Sequence, residues 1–453
     1  MLRSSLLFCL AYSFLVFANH SECYTQSTEN SSITYFVAVS GSDRNDGLSR
    51  YSAWRTLQHA AEKMQAGDTA IVQRGDYDES PILVRSGAPA RLITFRAEPL
   101  EGARIRGFAI KANFIAVVGF EITNHLTSEP GFYGIYLDGS NNSISQNYIH
   151  DLCAEGIKMA GANEGTDPIR VHHNRIVKNR LVHCEMAGIH VDGSDNLVEG
   201  NEISHTAQYP AGCPSRTGAD ADGIRFFGLQ QILRANYIHD IPWATVENPN
   251  PHTDCFQTWG PAKNITIEQN FCAWPTTSTN TNNEVSDLAS KDGQSTDITY
   301  KNNLLVNMRQ GINVYGSGPV KLYNNTFVRI LQEALILQDS PNCEIINNIF
   351  YDVGSGSDSF VCMNSASRNG LVISTNNHFM PSRRAPGTYC SNAEHLTVDP
   401  LFVNSTKFDF RLRPGSPMVG AGIVLPSVTT DYFGHPRPQS KPYDLGAIQF
   451  STD

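Results

Sequence analysis

The chain has 453 residues, of which 40% are hydrophobic and 17% charged, and its formal net charge is −10. That length supports a large core, while the acidic balance argues against a nucleic-acid partner, which demands basic patches. The wealth of Gly, Asn, Ser and Thr suits short strands and tight turns better than long helices.

Residues 1–23 read as a signal peptide. Arg3 supplies the positive start, Leu6 to Phe17 is apolar but short for a bilayer span, and Ala18 can end the signal. No other segment is apolar enough to cross a membrane. The expectation is a secreted, extracellular monomer without a membrane partner. Export permits disulfides, and ten Cys are present. Cys153 and Cys184 fall at similar points of neighbouring repeats, which suggests a rung-to-rung bridge, and Cys362 with Cys390 would close a loop. The connectivity stays open. No Cys-x-x-Cys spacing occurs, so no zinc site is expected.

Residues 33–81 form the next unit. Tyr35 to Val39 alternates like a strand, Ser40 to Gly47 is rich in turn residues, and Leu57, Ala60, Ala61 and Met64 are spaced as on a helix. The pieces Val39 to Asp43, Asn45-Asp-Gly47, Trp54 to Gln58 and Gly67-Asp-Thr69 keep the order found in one known cap. The stretch closely resembles the N-terminal cap of secreted right-handed parallel β-helix proteins, including calcium-dependent pectate lyases. The resemblance implies an all-β, right-handed parallel β-helix with an N-terminal capping helix. It is specific for fold and less so for reaction, because many activities share that cap. A helix there would cover the apolar side chains and unpaired backbone of the first coil.

Residues 82–394 carry the repeats. Asn147, Asn174, Asn201, Asn236, Asn270, Asn303, Asn325, Asn348 and Asn377 mark equivalent points, separated by 22 to 35 residues. Asn tolerates a left-handed backbone and its amide can bond to the Asn one rung away. The inward apolar series is expected to be Ile149, Ile176, Ile203, Ile238, Phe271, Leu304, Phe327, Ile349 and Phe379. The widest gaps lie between Asn201 and Asn303, so extra loops, and with them the binding surface, belong there. Residues 395–453 are expected to be a C-terminal cap, because Asp399 to Phe402, Thr430 to Arg437 and Tyr443 to Ala447 resemble the closing segment of many secreted β-helix proteins.

Within the repeats, Asp222, Asp254 and Asp287 each precede a short strand, 32 and then 33 residues apart. Aligned on the strand starts, they form an acidic column with Glu155 on the outside of the coil. Beside it runs a second column of outward residues: Tyr136, Lys158, His190, Arg225, Gln257, Ser290 and Asn313. Lys291 lies close by, and Trp259 offers a ring for stacking on sugar.

Carboxylates stacked roughly 5 Å apart repel one another unless something positive or a shared proton intervenes. Three answers follow. Ca²⁺ held by Asp222, Asp254 and Asp287 would bind a uronate, Lys291 or Arg225 would take the proton at sugar C5, and the chain would be cut by β-elimination. A shared proton would make the aspartates the acid and base of a glycoside hydrolase. Plain pairing with Arg225 and Lys291 needs no chemistry. The resemblance of the cap to pectate lyases favours the lyase, although no full copy of that family's calcium motif is present. His252 to Phe256 loosely resembles the motif of polygalacturonase-type β-helices, without its Asn. A C5-epimerase would use nearly the same face, and a non-catalytic glycan-binding surface protein is the remaining alternative. The expectation is an enzyme cleaving an acidic polysaccharide by elimination. Asp222, Asp254, Asp287, Lys291 and Arg225 would be catalytic, and His190, Lys158, Glu155, Gln257, Asn313 and Trp259 would bind substrate.

Overall fold

The computed structural model describes residues 32–123, 133–161, 167, 169–206, 221–241, 253–274, 283–289, 295–354, 361–373, 377–381 and 398–451. The expected signal peptide, the loops ahead of residues 221, 253 and 283, and Ser290, Lys291 and Cys390 lie outside them.

The strands stack in parallel along three faces. One face is an 11-stranded sheet running from Ile82–Leu83 to Val361–Met363. The other two faces are ladders of a 24-stranded sheet. One ladder buries Ile144, Ile176, Val198, Leu233, Ile267, Tyr300 and Leu322 in register. The other buries Ile149, Leu181, Ile203, Ile238, Cys272, Leu305, Phe327 and Phe350. The chain visits the three faces in turn and climbs one coil at a time, which is a parallel β-helix. Stacking like on like keeps the core continuous from rung to rung.

Two expectations change here. Ile176 belongs to the first ladder, so Leu181 takes its place. Phe271, Leu304 and Ile349 face away from the core, and their neighbours Cys272, Leu305 and Phe350 point inward. The cause is residues 398–451. This segment lies along the side of the coils, where Leu304, Val306, Val328 and Ile349 form a second core with Phe402, Phe410, Leu412, Met418 and Leu445. Strands apolar on both faces lose the alternation that reports direction. Polar bonds fasten the same segment to the coil corners. Arg437 donates to Asn302 Oδ1 at 2.9 Å, Asn324 Nδ2 to the Asp444 carbonyl at 3.0 Å, and Asn347 Nδ2 to the Ile423 carbonyl at 2.8 Å.

Asparagine holds the other corner. The main-chain N–H of Asn147 donates to Asn179 Oδ1, and the pattern repeats through Asn201, Asn236, Asn270, Asn303, Asn325, Asn348 and Asn377 at 2.9–3.0 Å. Asn174 stands in a shorter ladder with Asn142 and Asn196, capped by Gln231. The left-handed backbone falls on the residue just before each rung of the long ladder from Asn147 to Asn348, among them Gln146, Lys178, Ala235 and Gln269. The ladder Asn itself serves the turn through its amide.

Beside this corner, Gly134, Gly156, Gly188 and Gly223 are packed so closely that an added Cβ would meet inward side chains such as Ile149, Leu181, Ile203 and Ile238. On the next rung both partners change together: Cys255 stands where Gly stood, and it is disulfide-bonded to Cys272. Cys184 is a free buried thiol, so the expected Cys153–Cys184 bridge does not form. Cys184 pairs in register with Leu152 and packs as a small apolar residue. Cys153 is disulfide-bonded to a cysteine other than Cys184, Cys255, Cys272 or Cys343. Cys390, the expected partner of Cys362, lies outside the described residues.

At the N-terminal end the helix Leu57–Lys63 starts at Thr56, whose side chain accepts from His59 N–H. Glu79 accepts from the Leu57 and Gln58 N–H groups at 3.0 and 3.1 Å. Leu57, Ala60 and Ala61 are buried beneath it, and Trp54 stacks on Tyr35 with ring centroids 4.3 Å apart. Among the described residues no helix is long and apolar enough to cross a membrane.

Candidate active site

The 11-stranded sheet sets the site by register alone. Tyr136, Lys158, His190, Arg225, Gln257, Asp287 and Asn313 pair in succession. They form one column by register, and the described side chains of Tyr136, Lys158, His190, Arg225, Gln257 and Asn313 alternate away from the core. Three residues earlier on each strand runs the acidic column, in which Ala187 pairs with Asp222 and Asp254 pairs with Glu284.

Asp287 therefore stands beside Gln257 and not under Asp254. The three-aspartate column expected from spacing is Asp222, Asp254 and then Glu284. The alignment slipped because the inward residue of that strand is polar. Ser286 pairs with Phe256 and with Ile312, and it sits in the core hydrogen-bonded to the Phe256 carbonyl and to Tyr300 Oη, each at 2.7 Å. A pattern search for an apolar inward residue moves three places on, to Leu288-Ala289. Aligning on Asn303 and Tyr300 instead, which are unambiguous, would have fixed the coil.

The side chains form two linked groups. In the first, Lys158 Nζ lies 2.7 Å from His190 Nδ1 and 3.4 Å from Glu155 Oε1. His190 is 2% exposed and the Glu155 side chain 5%, whereas the Lys158 side chain keeps 20% of its surface. Burial raises the Glu155 carboxyl. The polar His190 ring 3.7 Å away and the charges of Lys158 and Arg225 more than reverse this, to about 2. Burial lowers the His190 imidazole below its ordinary range, with the charges of Lys158 and Arg225 adding to it and Glu155 opposing. The ring is neutral at neutral pH, so Lys158 and Arg225 carry the positive charge that holds the Glu155 anion. A neutral His190 accepts at Nδ1 from Lys158, which leaves its own hydrogen on Nε2.

In the second group, Arg225 Nε donates to Asp222 Oδ2 at 2.6 Å, and both are almost fully buried. Asp222 Oδ1 accepts the Asp254 N–H at 3.1 Å. The guanidinium lies 5.1 Å from the Trp259 ring centroid. Phe227 meets Trp259 edge-on at 4.8 Å and His190 at 5.0 Å, joining the two groups. The sequence offers Phe226 and Phe227 alike for stacking on sugar, with one of the two expected in the core; Phe226 is the core residue of the main cluster and Phe227 is the link. Gln257 and Asn313 are also buried, and Asn313 Nδ2 lies 3.5 Å from Gln310 Oε1. The column expected to be open to solvent is thus covered at His190, Arg225, Gln257 and Asn313, while Lys158 and Tyr136 are half-buried.

The set Asp222, Asp254 and Asp287 expected to hold calcium is divided between two columns of the sheet. Both Asp222 oxygens are occupied, by Arg225 and by the Asp254 N–H. Asp287 belongs to the neighbouring column. Among the described residues no group of three or more His, Cys, Asp or Glu is placed to hold a metal ion.

A family model described as right-handed beta helix region matches residues 107–270 and 258–400. The chain belongs to the right-handed β-helix family. A curated relative, the uncharacterized protein YwoF of Bacillus subtilis (strain 168), is 34% identical over 157 residues. That match spans 31% of this chain and 32% of YwoF. Among solved structures, the pectate lyase Pel9A superposes with a TM-score of 0.51 at 15% identity, over 93% of this chain and 97% of that one. A rhamnogalacturonan lyase gives a TM-score of 0.51 at 15% identity, over 89% and 99%. These two likenesses show the right-handed β-helix fold across nearly the whole chain.

Proposed function

We propose that this β-helix is a carbohydrate-active enzyme that cleaves a uronic acid-containing polysaccharide by β-elimination. The observation that carries the reading is Lys158 Nζ against the Nδ1 of a neutral His190, with Arg225 on the rung beyond. The names of two solved β-helices of the same fold, a pectate lyase and a rhamnogalacturonan lyase, point to the same class of chemistry.

The roles follow from what each group can do. Arginine does not lose its proton in proteins, so Arg225 suits neutralising the uronate carboxylate better than acting as a base. Neutralising that carboxylate acidifies the hydrogen at C5. As the hydrogen Lys158 shares with His190 Nδ1 passes onto the imidazole, the freed Lys158 amine takes this proton, and the nearby Glu155 anion stabilises the charge the pair gains. The C5–H electrons form the C4=C5 double bond, the C4–O bond to the next sugar breaks, and its oxygen takes a proton from water. Trp259 and Phe227 hold Arg225 and His190 in place. The hydrolase alternative loses ground at two points. It needs a carboxylic acid and a carboxylate facing one sugar bond, but Asp222 is engaged by Arg225, and Glu155 at about 2 holds no proton to give.

The test is a panel of pectate, alginate and other uronans, followed by the ultraviolet absorbance of the unsaturated uronate. Absorbance growing with new reducing ends is the expected result. New reducing ends without absorbance establish hydrolysis instead, and neither signal moves the protein to glycan binding. The assay run in calcium and in chelator reads a cation's share directly. Turnover that survives chelation fits the Arg225-centred site, and turnover lost to it gives the neutralising role to a bound ion.

A pH profile adds a second expectation. His190 titrates below its usual range, while Glu155 stays ionised down to about 2. Activity should hold across neutral pH and fall only as pH drops through the lowered His190 value. A fall beginning above the ordinary imidazole range would remove His190 from the base.

A further inference from the structure

On the N-terminal side of Lys158 the same column continues as Tyr136 and then Ala109. The drop from tyrosine to alanine opens a cleft of about 450 Å³, within the usual size of ligand pockets, roughly 300–1,000 Å³. Its walls include Ser80, Lys111, Tyr133 and Tyr136. The two tyrosine rings stack with centroids 5.7 Å apart and planes 23° from parallel. Both are half-buried, and Lys111 is exposed. Among the described residues no carboxylate lines this cleft.

We infer that the cleft is a sugar subsite of the same groove, one that takes a uronosyl residue with its ring on the Tyr136–Tyr133 pair and its carboxylate at Lys111. The inference rests on the reading that the Lys158 rung cleaves such a polymer. Three features support it. Coils rise about 4.8 Å each, close to the length of one pyranose unit, so a chain laid along the column places successive sugars on successive rungs. A stacked aromatic pair presents a rigid apolar face at little conformational cost, which suits the apolar face of a sugar ring. Lys111 supplies the single charge of the described lining, and its sign selects an acidic sugar over a neutral one. Burial and the neighbouring Asp138 also keep the Tyr136 phenol protonated, and therefore able to donate to a ring hydroxyl.

The experiment uses the whole protein with oligogalacturonate and oligoalginate, each as the free acid and as the methyl ester. Cleavage kinetics are measured on the acids, and the esters are assayed as competitors. Tyr136→Ala should raise KM about tenfold, the loss of one stacked ring, with kcat nearly unchanged. Tyr136→Phe keeps the ring and should restore KM to within about threefold, which separates lost stacking from lost folding. Lys111→Ala should raise KM for the acid about threefold and leave competition by the ester unchanged. Thermal unfolding of each variant matching the parent checks the fold. If the parent cleaves and neither Tyr136→Ala nor Lys111→Ala moves KM, the subsite is wrong and the cleavage reading stands. If the parent cleaves neither acid, both fall together.

Discussion

Lys158→Ala is expected to lower kcat/KM on the cleaved uronan by about a hundred-fold to ten-thousand-fold, the range for removing a general base. The side chain is partly exposed and belongs to no core cluster, so the variant should fold as the parent does. Lys158→Arg separates charge from proton transfer. It keeps a cation beside Glu155 and His190 but accepts no proton. Its KM should approach that of the parent while kcat stays low. Recovery of kcat by arginine would make the position purely electrostatic, and alanine activity within about threefold of the parent would remove Lys158 from the chemistry.

The second large effect concerns stability. Asn270 Oδ1 accepts both the N–H and the side-chain amide of Asn236, at 2.9 and 3.0 Å. Asn270 Nδ2 donates to the Leu233 carbonyl at 2.9 Å and to Asn303 Oδ1 at 3.0 Å. Asn270→Leu has nearly the same size but offers none of these bonds. It leaves a buried main-chain donor and a buried carbonyl without partners, at about 1–3 kcal/mol each. The expected loss is therefore about 3–5 kcal/mol, read as a fall in the urea midpoint. A loss within about 0.5 kcal/mol, as at an ordinary surface position, would mean the ladder decorates the corner without holding it.

Much of this molecule was legible in its residues because a solenoid repeats its instructions. The cap helix at Leu57–Lys63 and most of the Asn series stand where the pattern put them. The errors arose where one signal served two masters. Asn174 and Asn179 are both corner residues five positions apart, and spacing alone does not say which ladder each joins. Phe271, Leu304 and Ile349 read as core because they are buried, but residues 398–451 bury them from outside. A segment packed from a distance along the chain leaves no mark on local periodicity.

The site was legible in part for the same reason. Lys158, His190 and Arg225 fall in one column because their strands begin with the same Gly-Ile step. Asp287 was misplaced because Ser286 breaks the apolar signal with a hydrogen-bonded pair inside the core. What no spacing reveals is partnership. Arg225 turns toward Asp222 on its own strand, and Lys158 toward His190 one rung on. Such choices are made by side-chain geometry after the backbone is set.

The asparagine ladder also gives the molecule a polarity. Each rung from Asn147 to Asn348 hands its main-chain hydrogen forward, to an oxygen that arrives only with the coil made after it. A chain emerging from a ribosome would thus carry one unmet donor at its growing edge throughout synthesis, passed along like a baton. Ending the chain after an internal coil would leave that donor unmet, whereas duplicating an internal coil would meet the same need it creates.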